Sequence, residues 1–165
     1  MEPVTKEFVE HADDFISHLS DNQLKERIAE LKKKQYSLHT ILIMEADKYK
    51  EPKKKDIIWR TGFTMLMCFE SYKIKIPMIS MITVTDIVKN DQKKRKHITA
   101  ENDDGTNIQK SVDEIGQPNL FSFIQEKFTD DEEFHELFSE EDAHSLYFML
   151  MLLGNVYATT LLRYS

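Results

Sequence analysis

Apolar residues recur along most of this chain at steps of three and four. Val4, Phe8, Ala12, Phe15 and Leu19 form one such stripe, which predicts an amphipathic helix over 4–19. Ser20 and Gln23 stand at capping-box spacing, so a second helix starts at about 21. Its seam (Leu24, Ile28, Leu31, Gln35, Leu38, Leu42, Glu45, Tyr49) alternates steps of four and three. That repeat predicts one long helix over 21–49. Two readings follow. In one, Leu24, Ile28, Leu31, Gln35, Leu38 and Leu42 are the self-association face of a coiled-coil homodimer, with Gln35 restricting its register. In the other, the helix belongs to a bundle, and Ile41-Leu42-Ile43-Met44, apolar on every side, favours this second reading.

Past Pro52, residues 56–72 are apolar around most of their circumference, the mark of a central helix. Residues 71–76 alternate with period two and suit a short strand. Residues 78–89 read as a further helix, with strand as the alternative because of Ile82, Val84, Ile87 and Val88. Hydrophobic content collapses over 90–106, which predicts a mobile charged loop. Ile108, Val112 and Ile115 then suggest a short helix ended by Gly116 and Pro118. Asn119 reads as the cap of a helix striped by Leu120, Phe121, Ile124 and Phe128. Thr129 with Glu132 reads as another capping box, and Ser139 as the cap of a long terminal helix.

Composition supports few, long helices. The chain has 165 residues with only 4 glycines and 4 prolines, so turns needing positive φ are scarce. The expectation is an all-α single domain, a bundle of six to eight helices spanning 1–165. The single cysteine, Cys68, sits in an apolar run and reads as a core residue of a protein kept in a reducing compartment, cytoplasmic or nuclear. The acidic N-terminus lacks the apolar region of a signal peptide. Ser145–Leu162 is uncharged and 18 residues long, which raises a C-terminal tail anchor. Asn155, Thr159 and Thr160 within it favour a buried core helix instead, so no membrane association is expected.

The charges are sorted along the chain. Residues 1–30 sum to −5, residues 31–98 to +9 and residues 99–165 to −11. Segregated charge of this kind offers opposite surfaces to partners. No phosphate-binding, nucleophile-elbow or zinc-protease motif is present, so an enzyme is not expected, and no metal or cofactor is implied. His11, Asp14 and His18 share a helix face, but a fourth zinc ligand is not identifiable. An enzyme with dispersed residues would draw on Trp59, His39 or Glu70 in a deep pocket.

Two segments stand out as partner-binding candidates. In the acidic segment 129–142, Phe134, Leu137 and Phe138 alternate with acids including Glu133 and Glu136, a pattern that suits docking into a groove, although all three apolar side chains serve equally as core. The basic run Lys93, Lys94, Arg95, Lys96 and His97 suits phosphate contact or nuclear import, or simply a solvated loop. The function these features favour is a protein–protein interaction module, an adaptor or regulator. Nucleic-acid binding through 31–98 is the alternative.

Residues 119–164 carry a short apolar helix, an acidic turn and then Leu146-Tyr-Phe-Met-Leu-Met-Leu-Leu-Gly-Asn-Val-Tyr-Ala158. This order resembles a unit of armadillo or HEAT repeats, which implies armadillo-like helix stacking in the C-terminal third. The apolar terminal helix also resembles those of viral Bcl-2-like bundles, which implies antagonism of a host pathway.

Overall fold

The computed structural model describes residues 1–96, 113 and 115–165. Among these there are eight helices and no strand, as the scarcity of glycine and proline predicts. They are α1 (Lys6–Ser17), α2 (Asp21–Lys34), α3 (Tyr36–Ala46), α4 (Pro52–Glu70), α5 (Met81–Lys96), α6 (Pro118–Asp130), α7 (Glu132–Leu137) and α8 (Glu140–Tyr164).

α4 and α8 form the centre. α4 packs against α1, α3 and α8, and α8 also meets α3, α5 and α6. Leu146, Leu150, Leu153 and Val156 of α8 are wholly buried, as are Ile58 and Met65 of α4. Phe69 of α4 stacks on Tyr157 of α8 with centroids 5.3 Å apart. Gly154 lets Phe121 of α6 come close, since a Cβ there would lie 3.1 Å from the Phe121 ring. By length and composition α8 could cross a membrane, yet 61% of its most apolar window is buried inside this fold. That burial is what a core helix requires.

Three local expectations change. The stripe of α1 is rotated by one position. Val9, Ala12 and Ile16 are buried, whereas Phe8 lies at the margin and Phe15 is exposed beneath the Arg27 guanidinium, 5.3 Å away. Two overlapping stripes exist in the sequence, and the contact with α4 selects the narrower side chains. Secondly, 71–76 forms no strand. Lys73 takes a left-handed conformation, φ 55°, that ends α4, and the segment crosses as a linker. Thirdly, residues 90–96 are not a loop, because α5 runs through to Lys96. They contain neither glycine nor proline, and helix-forming residues extend a helix once Val84 and Ile87 are anchored in the core. The rest of the expected loop, together with Ile108 and Val112, lies outside the described residues.

The capping expectations divide in the same way. Ser20 and Gln23 form the full reciprocal box, and Ser139 accepts from Asp142 N. Thr129 caps nothing, for its hydroxyl donates back to the Gln125 carbonyl, and Asp131 caps α7 instead. Asn119 lies inside α6 and donates to the Val4 carbonyl at 2.8 Å. The buried Gln117 accepts from Val4 N at 3.0 Å and donates to the Tyr72 hydroxyl at 2.6 Å. Together they strap the N-terminal arm to the start of α6.

Candidate interaction surface

The acidic segment does not present its phenylalanines. Phe134 and Phe138 are 2% and 4% exposed, so the docking role expected of them is corrected to a core role. Phe134 stacks between Phe128 and Phe138 with centroids 4.3 and 4.7 Å apart, and Tyr49 meets Phe138 edge-on at 5.6 Å. Asp131 fixes this orientation by accepting from Glu133 N and Phe134 N, which starts α7 with Phe134 facing inward. Leu137 is half-buried against the same core. Glu132, Glu133 and Glu136 remain outside, with His135 among them. Glu133 pairs with Lys53 at 2.6 Å, and Glu133 first, with Glu136 behind it, holds the Lys53 pKa above its ordinary value.

The expected coiled-coil face is also consumed internally. The long helix breaks at Gln35, whose backbone (φ −140°, ψ 69°) separates α2 from α3. Leu24, Leu38 and Leu42 are buried, and Ile28 and Leu31 are half-buried against the core. A continuous seam from Leu24 to Leu42 is therefore not available to a second chain.

Opposite charges meet within the fold. Asp13 of α1 pairs with Lys127 of α6 at 2.8 Å, and Lys34, Lys48 and Lys54 pair with Glu30, Glu45 and Glu51. Glu45, although buried, accepts from Lys48 at 2.7 Å and from Ser145 of α8 at 3.0 Å. Nearby, the buried Tyr49 hydroxyl has no partner in hydrogen-bond geometry, although burial foremost, and then the Asp142 carboxylate, raise its pKa. Of the basic run, Lys93 is exposed near the end of α5. Lys94, Arg95 and Lys96 continue that helix, and His97 lies outside the described residues.

The residues named for dispersed catalysis are core residues or surface residues rather than a constellation. His39 and Trp59 are 5% and 7% exposed and meet at a tilt of 38° with centroids 5.5 Å apart, while Glu70 is exposed at the end of α4. His18 Nδ1 lies 2.7 Å from the Asp14 carbonyl and 3.5 Å from its carboxylate. Among the described residues no three His, Cys, Asp or Glu side chains converge to hold a metal ion. Cys68 is buried, and burial pushes its thiol up to about 12, which makes it unreactive at neutral pH.

One surface feature escaped the sequence reading. Tyr36, Met78, Met81 and Ile82 are large, apolar and exposed, Ile82 at 75%. Two anchors tie the segment around Met78 to that around Tyr36. Gln35 Nε2 donates to the Pro77 carbonyl at 3.0 Å, and Gln35 Oε1 accepts from Ile79 N at 2.9 Å. Ser37 Oγ donates to the Ile79 carbonyl at 2.6 Å. Tyr36 and Met78 each sit between the residues that make these bonds, and α5 starts directly afterwards. A signal was available. Val84, Ile87 and Val88 set the inward face of α5, and Ile82 falls about 200° around the helix from Val84. No protein-family model matches this chain, and neither a curated protein nor a solved structure does.

Proposed function

We propose that the protein is a non-catalytic protein–protein interaction module, an adaptor or regulator that works by occupying a partner. The observation that carries this reading is the exposed group of Tyr36, Met78, Met81 and Ile82, which gathers four of the large apolar residues that stand exposed, the others being Met1, Phe15, Met44, Leu162 and Tyr164. Scattered apolar side chains on a surface need no explanation, but a group in which three hydrogen bonds from Gln35 and Ser37 tie the backbone around Met78 to that around Tyr36 does. Tyrosine and methionine suit such a role, since one gives rigid amphipathic area and the other adapts to varied partners. Nucleic-acid binding gains less support, because Lys34, Lys48, Lys53, Lys54 and Arg60 of the basic region are paired with this protein's own acids.

The test is co-purification of tagged protein from its native source, with Tyr36→Ser/Ile82→Ser beside a Glu126→Ser control on another face. Loss of the bound proteins in the double variant alone, with unchanged circular dichroism, is the expected result. An unchanged set of bound proteins sinks the reading.

A further inference from the structure

Residues 1–5 precede α1 without helix or strand, and Thr5 at their end is extended (φ −72°, ψ 155°). Pro3 fixes its own φ and biases Glu2 toward extended backbone. Side chains hold the backbone of this arm. The Tyr72 hydroxyl donates to the Glu2 carbonyl, Gln117 Oε1 accepts from Val4 N at 3.0 Å, and Asn119 Nδ2 donates to the Val4 carbonyl at 2.8 Å. Val4 is buried, whereas Glu2, Pro3 and Thr5 are exposed. The notch therefore reads main-chain groups and one small β-branched side chain. Extended peptides are captured in this way, with main-chain bonds for affinity and a pocket for specificity.

One buried valine and three hydrogen bonds offset an ordering cost of similar size for the arm, which leaves it marginally held. Gln117 is 1% exposed and its Nε2 is committed to the Tyr72 hydroxyl at 2.6 Å. Departure of the arm leaves Gln117 Oε1 without its donor, so a peptide N–H is the chemistry that refills the notch. We propose that the arm is an exchangeable internal ligand. The notch of Tyr72, Gln117 and Asn119 takes in its place an extended segment of a partner protein with Val or Ile at the position of Val4. The arm of a second copy fits less well. Val4 stands two residues before α1 begins at Lys6, and about 7 Å of extended chain is too short a tether to cross between copies. This notch is separate from the exposed group around Tyr36, and its failure leaves the interaction module standing.

The test is fluorescence anisotropy with a labelled synthetic peptide copying residues 1–7, added to the full chain and to its Val4→Asp variant. The charged anchor expels the tethered arm and frees the notch. In the parent the arm competes at an effective concentration of about millimolar order. The peptide is expected to bind Val4→Asp about ten-fold or more tighter than the parent. Binding should fall about ten-fold in Val4→Asp/Asn119→Ala, and likewise for a peptide carrying Val4→Asp. Equal binding by parent and Val4→Asp, no binding to either, or indifference to Asn119→Ala overturns the inference. Should Val4→Asp fail to fold by circular dichroism, hydrogen exchange of the parent decides. A Val4 amide that exchanges about a hundred-fold faster than those of Leu150 and Leu153 supports an exchangeable arm. One that exchanges in step with them overturns it. Self-association of the parent that is lost in Val4→Asp gives the notch to a second copy and overturns the partner assignment.

Discussion

Arg60 of α4 donates from Nη1 to the Ile16 carbonyl at 2.8 Å, and so closes the C-terminal end of α1 from another helix. The same nitrogen donates to the Leu19 carbonyl at 2.9 Å, while Nε is held between the two Asp56 oxygens at 3.0 and 2.9 Å. α1 has no basic residue in its last turn, so Arg60 supplies both the missing donors and the charge that suits the negative end of a helix. Its side chain is only 18% exposed. Arg60→Ala is expected to cost about 2 kcal/mol, as hydrogen bonds from a charged donor do. A chain of this size then loses about 4–8 °C in Tm. Arg60→Lys recovers little of it, because a single ammonium cannot span Asp56 and two carbonyls. Urea titrations of the three proteins check this, and equal midpoints would remove Arg60 from the α1–α4 junction.

Gln35 is the hinge of a second cross-chain tie. Replacing it with Ala leaves Ile79 N and the Pro77 carbonyl without their partner, which should cost about 1 kcal/mol. The more specific readout is local. The Ile79 amide should lose most of its hydrogen-exchange protection while amides in α8 keep theirs. Gln35→Leu, which completes an apolar heptad on paper, should sediment as its parent does, because Leu24, Leu38 and Leu42 are already buried.

These ties also show what could be read in the sequence and what could not. Ser20–Gln23 and Ser139 were legible because a cap is chosen by residues three positions away. The central place of α4 was legible from its all-round apolar surface. The break at Gln35 was not, since it depends on the 77–79 segment more than forty residues downstream. A strict heptad hid it. Phe134 and Phe138 illustrate a different limit, for an amphipathic stripe on an acidic helix reads identically whether its apolar side meets a partner or its own core. Asp131, not Thr129, sets the phase of α7, and that phase turns the rings inward. The exposed apolar group was missed because the segment around Met78 is tied to that around Tyr36 only by the tertiary bonds of Gln35 and Ser37.

The stacked rings therefore carry stability rather than affinity. Phe134→Ala removes a fully enclosed ring from between Phe128 and Phe138 and should cost about 3–5 kcal/mol. Glu133→Gln and Glu136→Gln, both on exposed residues, should each stay within about 0.5 kcal/mol of the parent. Thermal unfolding of the three variants separates the cases. A Phe134→Ala protein as stable as its parent would return that ring to the surface.

Gly62 sits where α4 crosses α3. An added Cβ would meet Leu42 Cδ2 at 2.5 Å and Cδ1 at 3.1 Å, and Leu42 is completely buried. Gly62→Ala gains about 1 kcal/mol of helix propensity but forces Leu42 off its rotamer, at about 1–3 kcal/mol. A net loss of about 1 kcal/mol is expected. The two residues share one space, so a double-mutant cycle with Leu42→Ala should show coupling, Gly62→Ala becoming neutral or stabilising once the leucine is truncated. Additive losses would mean the helices separate instead.

His39 gives the fold a pH dependence of calculable sign. Burial first, and the charge of Lys32 second, lower its pKa below the ordinary 6.5. The ring is thus neutral in the folded protein at pH values where the unfolded chain binds a proton. Unfolding then takes up a proton, so stability falls as pH falls through 6.5 and stops falling, for this residue, below the folded-state pKa. Above 6.5 the contribution is complete. His39→Phe keeps an aromatic ring against Trp59 and removes the titration. Urea midpoints measured from pH 8 to pH 5 should decline more steeply for the parent than for His39→Phe, and that difference isolates His39 from the other histidines. Parallel curves would mean that His39 takes up its proton without resisting it, and that the ring reaches water through the α3–α4 contact.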